Sequence, residues 1–314
     1  MTGSTLYRGG ALADGHAPGL ERDVSILVRA GRIAWIRPTG GEDDPGDATI
    51  VDCSGTTFVP GLVDCHSHVT GPGGAHWIER FNDPPGQLLE VAEHNGRIGL
   101  AAGVRWMRDV GSPMGTDPVD GRERALALGV RDRWAGRHDR PYLRAAGSWL
   151  FKRGVAPMES AIQCGTADEL LAAAARQLDD GADLIKLYMD GPDVDVSPWT
   201  TGEVSSVVEA VHARGAKVAA HSGRLNGARE AVRGGVDSIE HGFDLDADTA
   251  AEMAKRGTTL VSTLAVMHSW LIFGETTTIE RFATDEGRST ILARLEQARA
   301  SVRLAHEAGV AIAT

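Results

Sequence analysis

The chain has 314 residues, of which 42% are hydrophobic and 24% charged, enough to bury one large domain with a small appendage, or two domains, and too apolar for disorder as its main state. Asp and Glu number 43 against 32 Lys and Arg, for a net charge of -11. An acidic surface repels phosphate backbones and anionic lipid, so nucleic acid and membrane surfaces drop out as partners and a small-molecule substrate is expected. No stretch approaches the roughly 18 apolar residues of a membrane span, and the first ten residues lack the basic and apolar blocks of a secretion signal. A cytoplasmic location is expected. Cys53, Cys65 and Cys164 are odd in number and form no CxxC pair, so reduced thiols are expected rather than disulfides.

In chain order, residues 6–8, 24–28 and 32–36 are short extended runs, 48–52 resumes the pattern, and GGEDDPGD at 40–47 has the composition of a solvated loop. Residues 1–57 therefore predict a small β module. From residue 58 helix-like segments alternate with short apolar runs. At Gly103, Gly181, Gly215, Gly235, Gly257 and Gly309 a helix closes and a strand opens at once, because glycine suits the left-handed position just past a helix C-terminus. The strands that follow cover 104–110, 184–188, 217–221, 238–241, 259–264 and 311–313. With 58–64 as the first and 142–146 as the third, they make eight.

Helix starts agree with this division. Thr166 with Glu169 and Thr200 with Glu203 fit capping boxes, and Leu170, Ala174 and Leu178, or Val204, Val208 and Val211, recur at helical spacing. Repeated strand–helix units argue for an α/β fold, a (β/α)8 TIM-type barrel over 58–314, rather than an open doubly wound sheet. No GxGxxG or GxxxxGK(S/T) follows any of the strands, which weakens a nucleotide-binding alternative.

In such a barrel the chemistry lies where the strands stop. The first ends in Asp64-Cys65-His66-Ser67-His68, and alternation puts His66 and His68 on one face. The fifth ends at His221 and the sixth at His241, so four of 11 histidines fall at predicted strand ends. Side-by-side imidazoles at strand ends can chelate a metal ion. In the fourth strand Lys186 interrupts an apolar run, one of only four lysines. Desolvation favours its neutral amine, which can add carbon dioxide to give an anionic oxygen ligand. The competing expectation is an ion pair of Lys186 with Asp109 or Asp190. His268, just past strand seven, is either a substrate contact or part of a solvated loop.

The stretches FVPGLVDCHSH (58–68), GADLIKLYMDG (181–191), VAAHSG (218–223) and SIEHG (238–242) together resemble the amidohydrolase superfamily of metal-dependent hydrolases. The closer likeness is to its imidazolonepropionase-like and Xaa-Pro dipeptidase-like branch. The resemblance covers essentially the whole chain. It implies two divalent metal ions, zinc in the first instance: His66 and His68 on the more buried, His221 and His241 on the more exposed, and carboxylated Lys186 bridging both. Carbon dioxide or bicarbonate would supply the carboxyl group. His241 and Tyr188 would also act on the substrate, Tyr188 as hydrogen-bond donor to the scissile carbonyl, although a packed barrel tyrosine is an equal reading. Asp64 and Asp109 would orient the site, and the N-terminal module would join a composite β-sandwich.

The activity implied is hydrolysis of an amide-type C–N bond in a dipeptide, N-acyl amino acid or cyclic amide, by hydroxide held between the metals. Ester, lactone and organophosphate hydrolysis are alternatives for the same site. Two departures stand out. SWLFKRG at 148–154 lacks the Gly-Gly-His that relatives often carry there. The aspartate expected at the end of strand eight does not occur before Thr314, which predicts a barrel incomplete in that strand and adds a catalytically silent metal-binding scaffold as a further alternative. Homo-oligomer formation is left open.

Overall fold

Aliphatic residues at alternate positions, punctuated by glycine and aspartate, give the first part of the chain a sheet with one buried face. The computed structural model describes residues 3–314 except 44, 156, 157 and 194, so Asp44 of the 40–47 loop lies outside the described residues. Contacts divide the chain between Leu62 and Val63. In the first unit β1 (Ser4–Leu12), β2 (Glu21–Arg29), β3 (Arg32–Pro38) and β4 (Thr49–Asp52) lie in the order β3-β2-β1-β4, and β5 (Thr57–Phe58) pairs with β1. Leu6, Val24, Ile26, Leu27 and Cys53 are buried in it. Ala30 and Gly31 both have positive φ (48° and 74°), the backbone twist that a two-residue hairpin between β2 and β3 favours.

The second unit runs β6 (Leu62–Ser67), α1 (Trp77–Arg80), α2 (Pro85–Ala101), β7 (Val104–Asp109), a hairpin of β8 (Met114–Thr116) and β9 (Glu123–Ala125), α3 (Leu126–Trp134) and β10 (Tyr142–Ala145). It continues through a parallel pair, β11 (Trp149–Lys152) and β12 (Ile162–Cys164), then α4 (Ala167–Asp179), β13 (Leu184–Tyr188), α5 (Thr201–His212), β14 (Lys217–Ser222), α6 (Leu225–Arg233) and β15 (Ser238–His241). The last elements are α7 (Ala247–Arg256), β16 (Thr259–Val261), α8 (Leu264–Phe273), α9 (Glu280–Ala283), α10 (Asp285–Glu307) and β17 (Ile312–Ala313). Among the described residues no helix is long and apolar enough to cross a membrane.

Two runs of strands, β10-β7-β6 and β12-β11-β13-β14-β15-β16-β17, are joined at both ends by backbone hydrogen bonds. Asp183 N–H donates to Ala145 O (2.8 Å) and Cys65 N–H to Thr314 O (2.9 Å). The strands β6, β7, β10 and β13 to β17 thus follow one another around a TIM-type (β/α)8 barrel. Ile185, Leu187, Val218, Ala220, Ile239 and Leu260 turn outward onto Leu170, Val204, Val208, Ala231 and Met253 of the helices. Each wholly buried aliphatic side chain of this kind contributes about 1.5–3 kcal/mol. The alternate residues, Lys186, Tyr188, Ala219 and His221, turn inward.

All six glycines expected at helix-to-strand junctions have φ between 73° and 95°. Thr200 and Glu203 form the full capping box. Thr166 caps α4 alone, because the Glu169 carboxylate turns instead to the Gly165 N–H and Arg153. The first barrel strand begins at Leu62 rather than residue 58: Pro60, which has no N–H to give a ladder, separates it from β5. The strand expected at 259–264 stops at Val261, and Leu264 already opens α8. An apolar helix that directly follows an apolar strand leaves no break in the hydrophobic pattern.

Candidate active site

β6 delivers His66 and, one residue past its end, His68. Their ring centroids lie 5.2 Å apart. β14 delivers His221 and β15 delivers His241. The His241 ring sits 4.7 Å from His66 and 4.5 Å from His221, so the four imidazoles named from sequence form one cluster at the C-terminal ends of the strands. Glu240 and His241 are consecutive, yet both turn inward. The backbone permits this because His241 leaves the extended region for φ 75°, uncommon for any residue but glycine.

Each ring is held through one nitrogen. His66 Nδ1 lies 2.7 Å from Glu240 Oε2, His68 Nδ1 2.8 Å from the Gly111 carbonyl, and His241 Nδ1 2.7 Å from Thr263 Oγ1. His221 Nε2 is 3.3 Å from Asp190 Oδ2. Asp190 in turn accepts from Ser222 Oγ and the Gly223 N–H. Among the described residues the other ring nitrogen of each has no hydrogen-bond partner. Burial pushes all four imidazoles down, His66 to about 4 and His68 to about 3, with His221 lowered and His241 well below its ordinary value. They are neutral near pH 7, as a metal ligand must be.

Lys186 is buried on β13, and among the described residues its Nζ has no hydrogen-bond partner; the ion pair with Asp109 or Asp190 does not form. Burial lowers its amine to about 7. Tyr188, two residues on, lies between Phe151 and His221, and burial raises its phenol to about 12. Phe81 and Trp149 close the other side, with centroids 6.0 Å and 5.4 Å from the His68 ring.

Asp64 and Asp109, expected to orient the site, bond backbone amides beside the imidazoles. Asp64 accepts from the His66 N–H (3.0 Å) and Asp109 from those of Val69 (2.7 Å) and Gly111 (2.9 Å), so both fix backbone. Burial raises the Asp109 carboxyl to about 7. The groups that do hold rings, Glu240, Asp190 and Thr263, escaped sequence reasoning as such. Glu240 carried a weaker signal than Lys186, a carboxylate directly before a strand-end histidine in SIEHG. His268 is exposed on α8.

Among the described residues no three His, Cys, Asp or Glu side chains stand as a ready-made cage for a cation. What fits a divalent ion is the donor set: neutral imidazoles with an unpartnered nitrogen and a buried, unpartnered amine.

Residues 57–314 match the amidohydrolase family. An uncharacterized protein of Mycobacterium tuberculosis is 31% identical over 259 residues, 79% of this chain and 60% of that protein. An imidazolonepropionase of a Methylobacterium species is 29% identical over 280 residues, 80% of this chain and 67% of that enzyme. The chain thus spans 60% of the length of the mycobacterial relative. In fold it is similar to a solved Xaa-Pro dipeptidase with bound methionine in its active site, at a TM-score of 0.78 and 24% identity, covering 98% of this chain and 78% of that one. With most of its length matched and the barrel shared, the chain belongs to the amidohydrolase family.

Proposed function

We propose that the protein is a metal-dependent hydrolase of amide-type C–N bonds in small molecules such as dipeptides, N-acyl amino acids or cyclic amides. The observation that carries this reading is the meeting of four neutral imidazoles around a buried, unpartnered amine where the barrel strands end. His66 and His68 would hold one divalent ion and His221 and His241 a second, with Lys186, carboxylated by carbon dioxide or bicarbonate, between them. Two such ions, zinc in this reading, supply Lewis acidity for the scissile carbonyl and acidify the attacking water.

The chain's own groups do the rest. Tyr188 keeps its proton well above neutral pH and donates its O–H to the carbonyl oxygen as charge develops there. His241, braced at Nδ1 by Thr263, keeps its other nitrogen for the second ion and acts on the substrate through that position. Phe81 and Trp149 form an apolar wall beside His68 that keeps water off one side of the site. Residues 1–57 form the accompanying β module, and the enzyme is soluble and cytoplasmic. The test is metal analysis of the purified chain followed by a screen of dipeptides and N-acyl amino acids beside esters, lactones and a phosphotriester. Amide turnover that stops with chelator and returns with zinc is expected. Turnover of esters or phosphotriesters alone, or amide turnover indifferent to chelators, overturns the reading.

A further inference from the structure

Glu240 stands out among the groups that hold the imidazoles. It is fully buried, and its two oxygens are divided between two jobs. Oε1 accepts from Arg108 Nη2 (2.7 Å) and from Ser238 Oγ (2.6 Å), while Oε2 faces His66 Nδ1 at 2.7 Å. Arg108 is itself tied down from a different strand: its Nε donates to the Cys65 carbonyl at 2.7 Å, next to His66 in β6. A carboxylate paired with a guanidinium is ionised, and an ionised carboxylate only accepts hydrogen bonds. The hydrogen in the His66–Glu240 bond therefore belongs to His66 Nδ1, and the lone pair belongs to Nε2, the nitrogen without a partner.

We propose that Glu240 is a positioning residue that fixes His66 in its Nδ1–H form, with the Nε2 lone pair presented to the cluster, and that Arg108 and Ser238 act through it by fixing which oxygen faces the ring. The other rings lack this arrangement. His68 is held by a backbone carbonyl, His241 by a hydroxyl that can donate or accept, and His221 by a longer 3.3 Å contact. The proposal deepens the metal-dependent reading of this site and rests on it for the use of the Nε2 lone pair. A carboxylate behind a ligating imidazole fixes the ring and raises its basicity, and its loss weakens metal binding by about 10–100-fold.

The oxygen assignment makes Glu240→Gln a sharp variant. Arg108 and Ser238 donate to the position of Oε1, so the amide oxygen must sit there and the amide NH2 must face His66. An NH2 group can only donate. It requires a lone pair on Nδ1 and drives the ring hydrogen to Nε2, at almost unchanged shape. The experiment is 15N–1H correlation spectroscopy of histidine-labelled full chain without metal, with the His66 signals assigned by their loss in His66→Asn, together with zinc affinity by chelator competition. The expected result is Nδ1–H in the wild type, Nε2–H in Glu240→Gln, and zinc affinity about 10–100-fold lower in the variant.

A wild-type His66 protonated at Nε2 overturns the proposal and needs no variant to fold. An unchanged tautomer and zinc affinity in Glu240→Gln overturn it too, while wild-type zinc binding leaves the metal reading standing. If the tautomer switches but neither protein takes up zinc, Glu240 keeps its role on the ring and the metal reading falls.

Discussion

Tyr188 lies flat against His221, with ring centroids 3.9 Å apart and planes 11° apart, and Phe151 stacks on its other side at 4.1 Å. Gripped between two rings, the tyrosine cannot swing, and its hydroxyl is the one part free to meet a ligand. Tyr188→Phe removes only that oxygen. The expected outcome is an unchanged melting temperature and metal content, with kcat for an amide substrate down about 100-fold, the usual loss for one hydrogen-bond donor to a developing oxyanion. Undiminished kcat in the variant would assign Tyr188 to packing.

Lys186 offers a contrast between stability and function. A buried amine without a partner is an unmet polar group, a penalty of about 1–3 kcal/mol, and methionine matches its length without the nitrogen. Lys186→Met should therefore raise the melting temperature of the metal-free chain, yet reduce metal loading and abolish its enhancement by bicarbonate. Full loading in Lys186→Met, measured by elemental analysis, would remove the lysine from the site.

A second charged group sits at the seam between β10 and β13. Asp183 accepts from Arg131, Arg144 and the Ala145 N–H at 2.6–3.0 Å. Burial alone would raise its carboxyl, but the amide and the two guanidinium groups outweigh burial and hold it below its ordinary value of 3.8. A folded-state pKa below the unfolded one stabilises fully above the unfolded value and is lost as pH falls through the folded one. Asp183→Asn should cost about 2–4 kcal/mol at pH 7, since it strands partly buried charges. The gap to wild type should close as denaturation is followed from pH 5 down through the acid range. A gap that stays constant over that range would contradict the sign.

Gly111 joins backbone to site. Its φ is 138°, and a Cβ added there would run into the Trp149 indole, while its carbonyl holds His68. Gly111→Ala should destabilise by about 2–3 kcal/mol through backbone strain and overpacking. It should also lower metal uptake, because His68 loses its brace. Denaturant midpoint and metal stoichiometry check both halves; a stable variant with full metal content would show that Trp149 yields easily.

Whatever depended on local order along the chain could be read from it. The glycine junctions, the helix starts and the strand ends bearing His66, His68, His221 and His241 each follow from a few neighbouring residues. The partners of those histidines do not. Glu240 meets His66 across 174 positions of sequence and Arg108 across 132, distances at which no periodicity speaks. The β8–β9 hairpin and the β11–β12 pair, at three or four residues per strand, fall below the length at which alternation becomes a pattern. Nor does local order show which groups Asp64 and Asp109 meet: short carboxylates beside a turn reach backbone amides before they reach a ring.

The left-handed backbone at His241 has an evolutionary consequence. Asparagine, which tolerates this region and keeps a polar side chain to meet Thr263, would sit there with about 1 kcal/mol less strain, so His241→Asn should melt no lower than wild type in the presence of chelator and bind less zinc. A laboratory lineage bred for heat tolerance alone would drift toward that substitution and lose the imidazole. Persistence of histidine in such a lineage would therefore record selection on chemistry, and its disappearance would date the moment that selection lapsed.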